Sequence, residues 1–161
     1  MRIQPLARTI TAAIALTATA AMAGGQHGDH AHDESFATGE TGGAKKPARI
    51  VQVTMTETDG KMVFVPSKVE VRKNEQIQFM LRNSGELDHE FVLGTAEENV
   101  KHAEAMKKNP DMEHDDPNAK RLVPKATGDI VWKFSKAGTF EFSCLIPGHR
   151  EAGMIGTVVV R

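Results

Sequence analysis

Hydrophobic and polar residues alternate along most of the chain beyond about residue 50. A period of two is typical of strands that bury one face. The residues that share one face in these runs are Val51, Val53 and Met55; Ile77, Phe79 and Leu81; His89, Phe91 and Leu93; Ile130, Trp132 and Phe134; and Phe140, Phe142 and Cys144. Turn residues separate the runs, so the pattern predicts an all-β, antiparallel β-sandwich of about seven or eight strands.

One segment departs from this alternation. Thr95 and Glu98 form a T-x-x-E capping box, and good helix formers follow from Ala96 to Lys108. Pro110 prevents the helix from continuing. Residues 109–120 are polar, and strands resume near Arg121. The sequence therefore predicts one short helix-plus-loop insertion in the sandwich.

The first 45 residues differ in composition from the rest. Arg2 and Arg8 precede a short apolar run, which ends in Ala21-Met22-Ala23. This pattern predicts a secretory signal peptide over residues 1–23, cleaved after Ala23, and hence an exported protein. Residues 24–45 are rich in glycine, histidine and acids, so we expect a disordered tail. The single folded domain is then predicted over residues 46–161.

Charge and cysteine content restrict the classes of function that are open to this chain. The formal net charge is −1 and no basic patch is present, so we expect no nucleic-acid partner. No segment after the signal peptide is apolar enough to cross a membrane, and we expect a monomer. Cys144 is the only cysteine, so it is an intermolecular bridge, an inert buried thiol or a thiolate with a chemical role.

The residues around Cys144 decide between these alternatives. Cys144, His149 and Met154 follow one another in a C-x4-H-x4-M loop between two predicted strands. Taken singly, each residue is often a packing or loop residue, but together they offer a thiolate, an imidazole and a thioether. The alternation directs Cys144 towards the core, and His89 shares the buried face of an earlier strand. We expect the four side chains to converge.

This set of side chains favours one metal. A thiolate with two imidazoles and a weak axial thioether is the coordination set of mononuclear electron-transfer copper. Zinc accepts cysteine and histidine, but a thioether is a poor ligand for it. A binuclear copper centre with two bridging thiolates needs a second cysteine, which the chain lacks. The sequence predicts one copper ion bound by His89, Cys144, His149 and Met154.

The loop and its flanking strands resemble the cupredoxins, or blue copper proteins, over residues 46–161. The C-x4-H-x4-M spacing is most similar to that of rusticyanin and auracyanin. The resemblance implies a Greek-key sandwich and a type 1 copper centre with Cys144, His89 and His149 as strong ligands and Met154 as the axial one. Many cupredoxins have Asn directly after the first histidine, whereas this chain has Glu90.

Two further clusters suggest additional copper binding. His27, His30 and His32 lie in the acidic tail, where they would chelate Cu(II) or Zn(II) weakly or would simply add solubility. His102 and Met106 are i and i+4 on the predicted helix, and Met112 and His114 follow in the loop. These four residues predict an auxiliary Cu(I) site. Core packing is the alternative explanation for Met106.

Three functions remain open. The auxiliary cluster, together with Asp88-His89-Glu90-Phe91 and Pro110-Asp-Met-Glu-His-Asp-Asp-Pro117, resembles bacterial periplasmic copper-tolerance cupredoxins. This resemblance implies a periplasmic protein that binds excess copper and has at most a weak cuprous oxidase activity. The alternative is a soluble electron carrier between redox partner proteins, with the extra clusters incidental. A metal-free β-sandwich used for adhesion is the third function, and it leaves the four converging ligand types unexplained.

Overall fold

The computed structural model describes residues 36–109 and 116–161, so the tail histidines and the middle of the insertion loop lie outside the described residues. Within that part of the chain there are ten strands and one helix. In chain order they are β1 Glu40–Thr41, β2 Arg49–Thr58, β3 Lys61–Val65, β4 Lys68–Val71, β5 Gln76–Asn83, β6 His89–Gly94, α1 Ala96–Lys108, β7 Ala119–Leu122, β8 Thr127–Lys133, β9 Gly138–Ser143 and β10 Ile155–Val160.

The strands form two five-stranded sheets. One has the order β1-β8-β5-β2-β3 and the other β4-β10-β9-β6-β7. Most ladders are antiparallel, as predicted, but β2 pairs with β5 and β4 pairs with β10 in parallel. The all-β sandwich is thus confirmed, with mixed rather than purely antiparallel sheets.

The apolar faces of the two sheets meet in one core. The alternating residues predicted to face inwards are buried there, with the exception of the partly buried Val51. Aromatic rings fill the centre: the rings of Phe91 and Phe142 stack with centroids 4.9 Å apart, and Phe64 meets both of them edge-on. Burial of such rings is the main favourable term in the stability of the fold. It also gives the side chains at the sandwich ends a rigid support.

The predicted helix is confirmed with its predicted bounds. The Thr95 side chain accepts a hydrogen bond from the Glu98 amide, and the Glu98 side chain accepts one from the Thr95 amide, which completes the capping box. The buried face of α1 packs Ala103 and Met106 against Val92 of β6. Because α1 covers this side, β6 is buried on both faces. No helix in the described ranges is long and apolar enough to span a membrane.

The paired part of the chain begins upstream of the predicted boundary at Lys46. Glu40 and Thr41 pair with Lys133 and Trp132 of β8. The Gln76 side chain accepts a hydrogen bond from the Gly43 amide and donates to the Gly43 and Lys46 carbonyls. Sheet pairing and one buried amide side chain therefore hold residues 40–46, although glycine-rich composition alone assigned residues 40–45 to the tail.

Candidate metal centre

Three of the predicted ligands meet at one end of the sandwich. His89 is the first residue of β6, Cys144 follows the last residue of β9, and His149 lies in the loop between β9 and β10. His149 Nδ1 lies 3.3 Å from Cys144 Sγ and 3.3 Å from His89 Nδ1. One ligand atom from each side chain lies within 4.8 Å of the other two, and all three residues are buried.

Backbone hydrogen bonds hold the loop that carries Cys144, His149 and Met154. The Cys144 amide donates to the Met154 carbonyl, and the Met154 amide donates to the His149 carbonyl, each across 3.1 Å. Gly148 has φ = 89°, a left-handed conformation that side chains disfavour, and it lets the chain turn directly before His149. Met154 is completely buried in the main core. The loop is therefore shaped before any ion binds.

The electrostatics of the metal-free site favour neutral side chains. Burial raises the pKa of the Cys144 thiol to about 12, although the Glu90 amide lies 3.2 Å from Sγ and donates to it. Burial also lowers the pKa of His149, and the neighbouring His89 lowers it further. A neutral imidazole can donate its lone pair to a cation. The thiol loses its proton when it coordinates a metal, since the thiolate is the ligand form.

A carboxylate that the sequence pattern does not indicate contacts His89. Glu57, near the end of β2, places Oε1 2.8 Å from His89 Nε2. Burial raises the pKa of Glu57, but hydrogen bonds from the Glu86 and Leu87 amides and from His89 outweigh it, so the pKa is lowered overall. No local pattern marks Glu57, because the contact joins residues 32 positions apart.

A second polar group next to the ligand loop was also missed. Arg150, directly after His149, donates to the carboxylate of Glu141 and to the Ser143 hydroxyl. The Asn99 side chain of α1 donates to the same carboxylate across 3.1 Å. Nothing in the spacing of the loop marks Arg150 as more than a charged residue beside His149. The structure makes it the link between the loop, β9 and the helix.

Of the four residues predicted to form the auxiliary site, the structure describes His102 and Met106. Met106 is fully buried in a small apolar cluster with Val92, Ala103 and Leu145, which is the packing alternative given above. His102 is partly buried on the same helix. Met112 and His114 lie outside the described residues, as do His27, His30 and His32. The auxiliary Cu(I) site and the tail chelation stay predictions.

The donor set fits a mononuclear copper ion. A soft thiolate and two imidazoles stand close enough to share one ion, and the pair of histidines and one cysteine is the strong-ligand set of electron-transfer copper sites. Their burial at the end of an apolar sandwich would keep water away from a bound ion. Fold and site together therefore define a protein of the mononuclear copper class built on a β-sandwich.

Comparison with known proteins supports the assignment to this class of copper protein. Residues 51–161 match the family of copper binding proteins described as the plastocyanin/azurin family, and the chain belongs to this family, the cupredoxins. It is 48% identical to the copper-resistant cuproprotein CopI of Rubrivivax gelatinosus over 93% of this chain and 92% of that protein. It is 36% identical to the copper-resistant cuproprotein CopI of Vibrio cholerae serotype O1, over 70% of this chain and 66% of that protein.

The fold has solved counterparts. Auracyanin B superposes with a TM-score of 0.60 at 24% identity and covers 73% of this chain and 91% of its own. An auracyanin from Roseiflexus castenholzii gives 0.59 at 19% identity, over 72% and 99% of the two chains. These similarities confirm the predicted cupredoxin fold. Family membership and the His–Cys–His cluster together give the chain a type 1 copper centre.

Proposed function

We propose that this chain is an exported copper-handling protein of the periplasm that binds excess copper and so contributes to copper tolerance. The convergence of His89, Cys144 and His149 within 4.8 Å is the observation that carries the proposal. The relatives in Rubrivivax gelatinosus and Vibrio cholerae, both named copper-resistant cuproproteins, support the tolerance role. The basic start, the short apolar run and the Ala21-Met22-Ala23 site support export, with a signal peptide over residues 1–23. A tail follows from residue 24, and the copper domain predicted over 46–161 also includes the paired residues from Glu40 onwards.

The proposed ligand roles follow from donor chemistry. The Cys144 thiolate and the imidazoles of His89 and His149 are the strong ligands, and the Met154 thioether is the weak axial one. When bound, the type 1 copper supplies one-electron exchange between Cu(II) and Cu(I). The chain's own contribution is to hold these donors in a buried, hydrogen-bonded loop. A loop held in this way would change little between the two oxidation states, which would lower the cost of rearrangement.

Replacing Met154 by leucine tests the axial role. We expect the Met154→Leu variant to fold and to bind copper, because leucine fills a similar buried volume. The reduction potential should rise, since a thioether donates some electron density to Cu(II) and its loss favours Cu(I). Voltammetry of the loaded protein measures this shift. A potential that stays the same or falls would contradict the axial assignment, and Met55→Leu, in the same core, is a matched control.

Copper handling also includes Cu(I) as a substrate. Its oxidation to Cu(II) releases one electron, which a redox partner protein must accept. The auxiliary residues His102, Met106, Met112 and His114 would hold this Cu(I) with soft donors. Because Met106 is buried in an apolar cluster, leucine is the substitution that removes the thioether and keeps the packing.

An anaerobic Cu(I) titration tests the tolerance function. We expect the variant His102→Ala/Met106→Leu/Met112→Leu/His114→Ala to keep the visible band of the loaded protein. It should lose the Cu(I) that the wild type binds beyond the first ion, and the host's copper tolerance should fall. Met80→Leu, at an exposed methionine of β5, is the matched control. If the fourfold variant binds as many Cu(I) ions as the wild type, the auxiliary site is wrong and the electron-carrier function moves ahead.

A further inference from the structure

His89 is fixed from its outer side by a carboxylate of the opposite sheet. The imidazole is completely buried, and its Nδ1 faces His149 while its Nε2 lies 2.8 Å from Glu57 Oε1. Glu57 belongs to β2, whereas His89 belongs to β6 of the other sheet. An ionised carboxylate only accepts hydrogen bonds. His89 therefore donates from Nε2, and in the neutral ring this leaves the lone pair on Nδ1, towards the metal cluster.

The Glu57 carboxylate lies in a cradle formed by the backbone of residues 85–87. The Glu86 amide donates to Oε2 across 3.0 Å, and the Leu87 amide donates to Oε1 across 3.1 Å. A Cβ at position 85 would lie 2.3 Å from Oε2, so only glycine leaves room for the carboxylate there. The carboxylate thus receives two backbone amides and one imidazole.

The loop that forms this cradle is itself fixed. Asn83 is fully buried, and its amide group donates to the carbonyls of Leu87 and Leu122. Its side-chain oxygen accepts a hydrogen bond from the Gly85 amide across 2.9 Å. The orientation of the Glu57 carboxylate is therefore set by buried contacts on both sides of the loop. The Glu57 side chain itself is partly open to solvent, with 27% of it exposed.

We propose that Glu57 is a positioning residue of the copper centre, which holds His89 as the Nε2–H tautomer and biases the bound copper towards Cu(II). The inference rests on the proposed role of His89 as a ligand. A carboxylate that accepts from the far nitrogen of a ligating histidine fixes the ring and makes it a stronger donor. A stronger donor and a nearby negative charge both favour the more highly charged ion. The reduction potential is lowered as a result.

A purely structural role would look different. If Glu57 only tied residues 84–88 to β2, its loss would lower the free energy of unfolding and leave the copper chemistry unchanged. The other acids near this loop have their own cationic partners: Glu86 pairs with Lys125, and Asp88 pairs with Arg121 across 3.1 Å. Glu57 is the carboxylate that contacts the ligand ring directly.

Glu57→Gln removes the charge with little change in volume, and Glu86→Gln is the matched control. Glu86 has 81% of its side chain exposed, and only its backbone amide contacts Glu57. We expect Glu57→Gln to weaken Cu(II) binding about tenfold or more and Cu(I) binding much less. Each tenfold weakening of Cu(II) binding relative to Cu(I) binding raises the reduction potential by about 59 mV for one electron. Glu86→Gln should change neither affinity by more than about twofold.

A measurement without copper separates tautomer from redox effects. In the copper-free protein, nitrogen NMR of the His89 ring should show the proton on Nε2, and Glu57→Gln should weaken or abolish that preference. The proposal is overturned if Glu57→Gln matches Glu86→Gln in potential and in the His89 ring signals while its free energy of unfolding falls. A His89→Ala variant that retains the visible band would instead overturn the ligand role of His89 itself.

Discussion

A Cys144→Ser variant will lose the intense visible absorption of the copper-loaded protein while it keeps its fold. The absorption arises from charge transfer between the thiolate and Cu(II), and a serine hydroxyl stays protonated and gives a harder, weaker donor. Cys144 is completely buried, and the two residues have nearly the same size. The change therefore removes the ligand without opening a cavity. Visible spectroscopy after Cu(II) addition, with circular dichroism for the fold, checks both expectations.

Zinc provides the control for the Cys144→Ser measurement. Wild-type protein loaded with Zn(II) should show no visible band, because a filled d shell offers no charge transfer of this kind. A band that survives in Cys144→Ser would mean that the absorbing copper lies elsewhere in the chain. In that case the proposed ligands His89, Cys144, His149 and Met154 would be wrong as a set.

The strands and the helix were predictable because their signals are local. Alternation with a period of two depends only on which face of a strand is buried, and it located β5, β8 and β9 closely. The helix start was predictable because the capping box needs only Thr95 and Glu98, three positions apart. Both signals act within a few residues, so the sequence contains them without knowledge of the fold.

Strand pairing was harder to predict from the sequence. The parallel pairs β2–β5 and β4–β10 depend on how distant segments meet, and alternation is the same for parallel and antiparallel partners when one face is buried. The short strand β1 carries no alternation at all, since it has only two residues. Its pairing with β8 is a tertiary contact, which composition cannot reveal.

The metal site was likewise predictable only in part, because some of its contacts are local in the sequence and others form only in the folded chain. The loop from Cys144 to Met154 spans eleven residues, so its spacing can be read directly from the chain. The partner of His89 cannot, because Glu57 reaches it only when the two sheets pack together. The Arg150–Glu141 pair was missed for a related reason. Glu141 alternates with Phe140 and Phe142 and so would face solvent, but α1 covers that side of β9.

The Arg150–Glu141 pair leads to a large expected effect on stability. Side-chain exposure is only 17% for Arg150 and 12% for Glu141, and Asn99 and Ser143 complete the group. Replacing Arg150 by methionine keeps the apolar stem but leaves the Glu141 carboxylate buried without its cation. Breaking such a pair from one side costs about 3 kcal/mol. We expect the free energy of unfolding of the copper-free Arg150→Met variant to fall by about this amount, measured by urea denaturation.

Two further variants separate the buried charge from general damage. In Arg150→Met/Glu141→Gln the uncompensated charge is gone, and a glutamine can still bond Asn99 and Ser143, so about 2 kcal/mol of the loss should be recovered. Lys101→Met breaks the Lys101–Glu97 pair on the exposed side of α1, where both side chains are about three quarters exposed, and should barely change the unfolding midpoint. If Arg150→Met behaves like Lys101→Met, the pair does not stabilise the fold. If the double variant is no more stable than Arg150→Met alone, then the damage comes from lost packing around the ligand loop and not from the buried charge of Glu141.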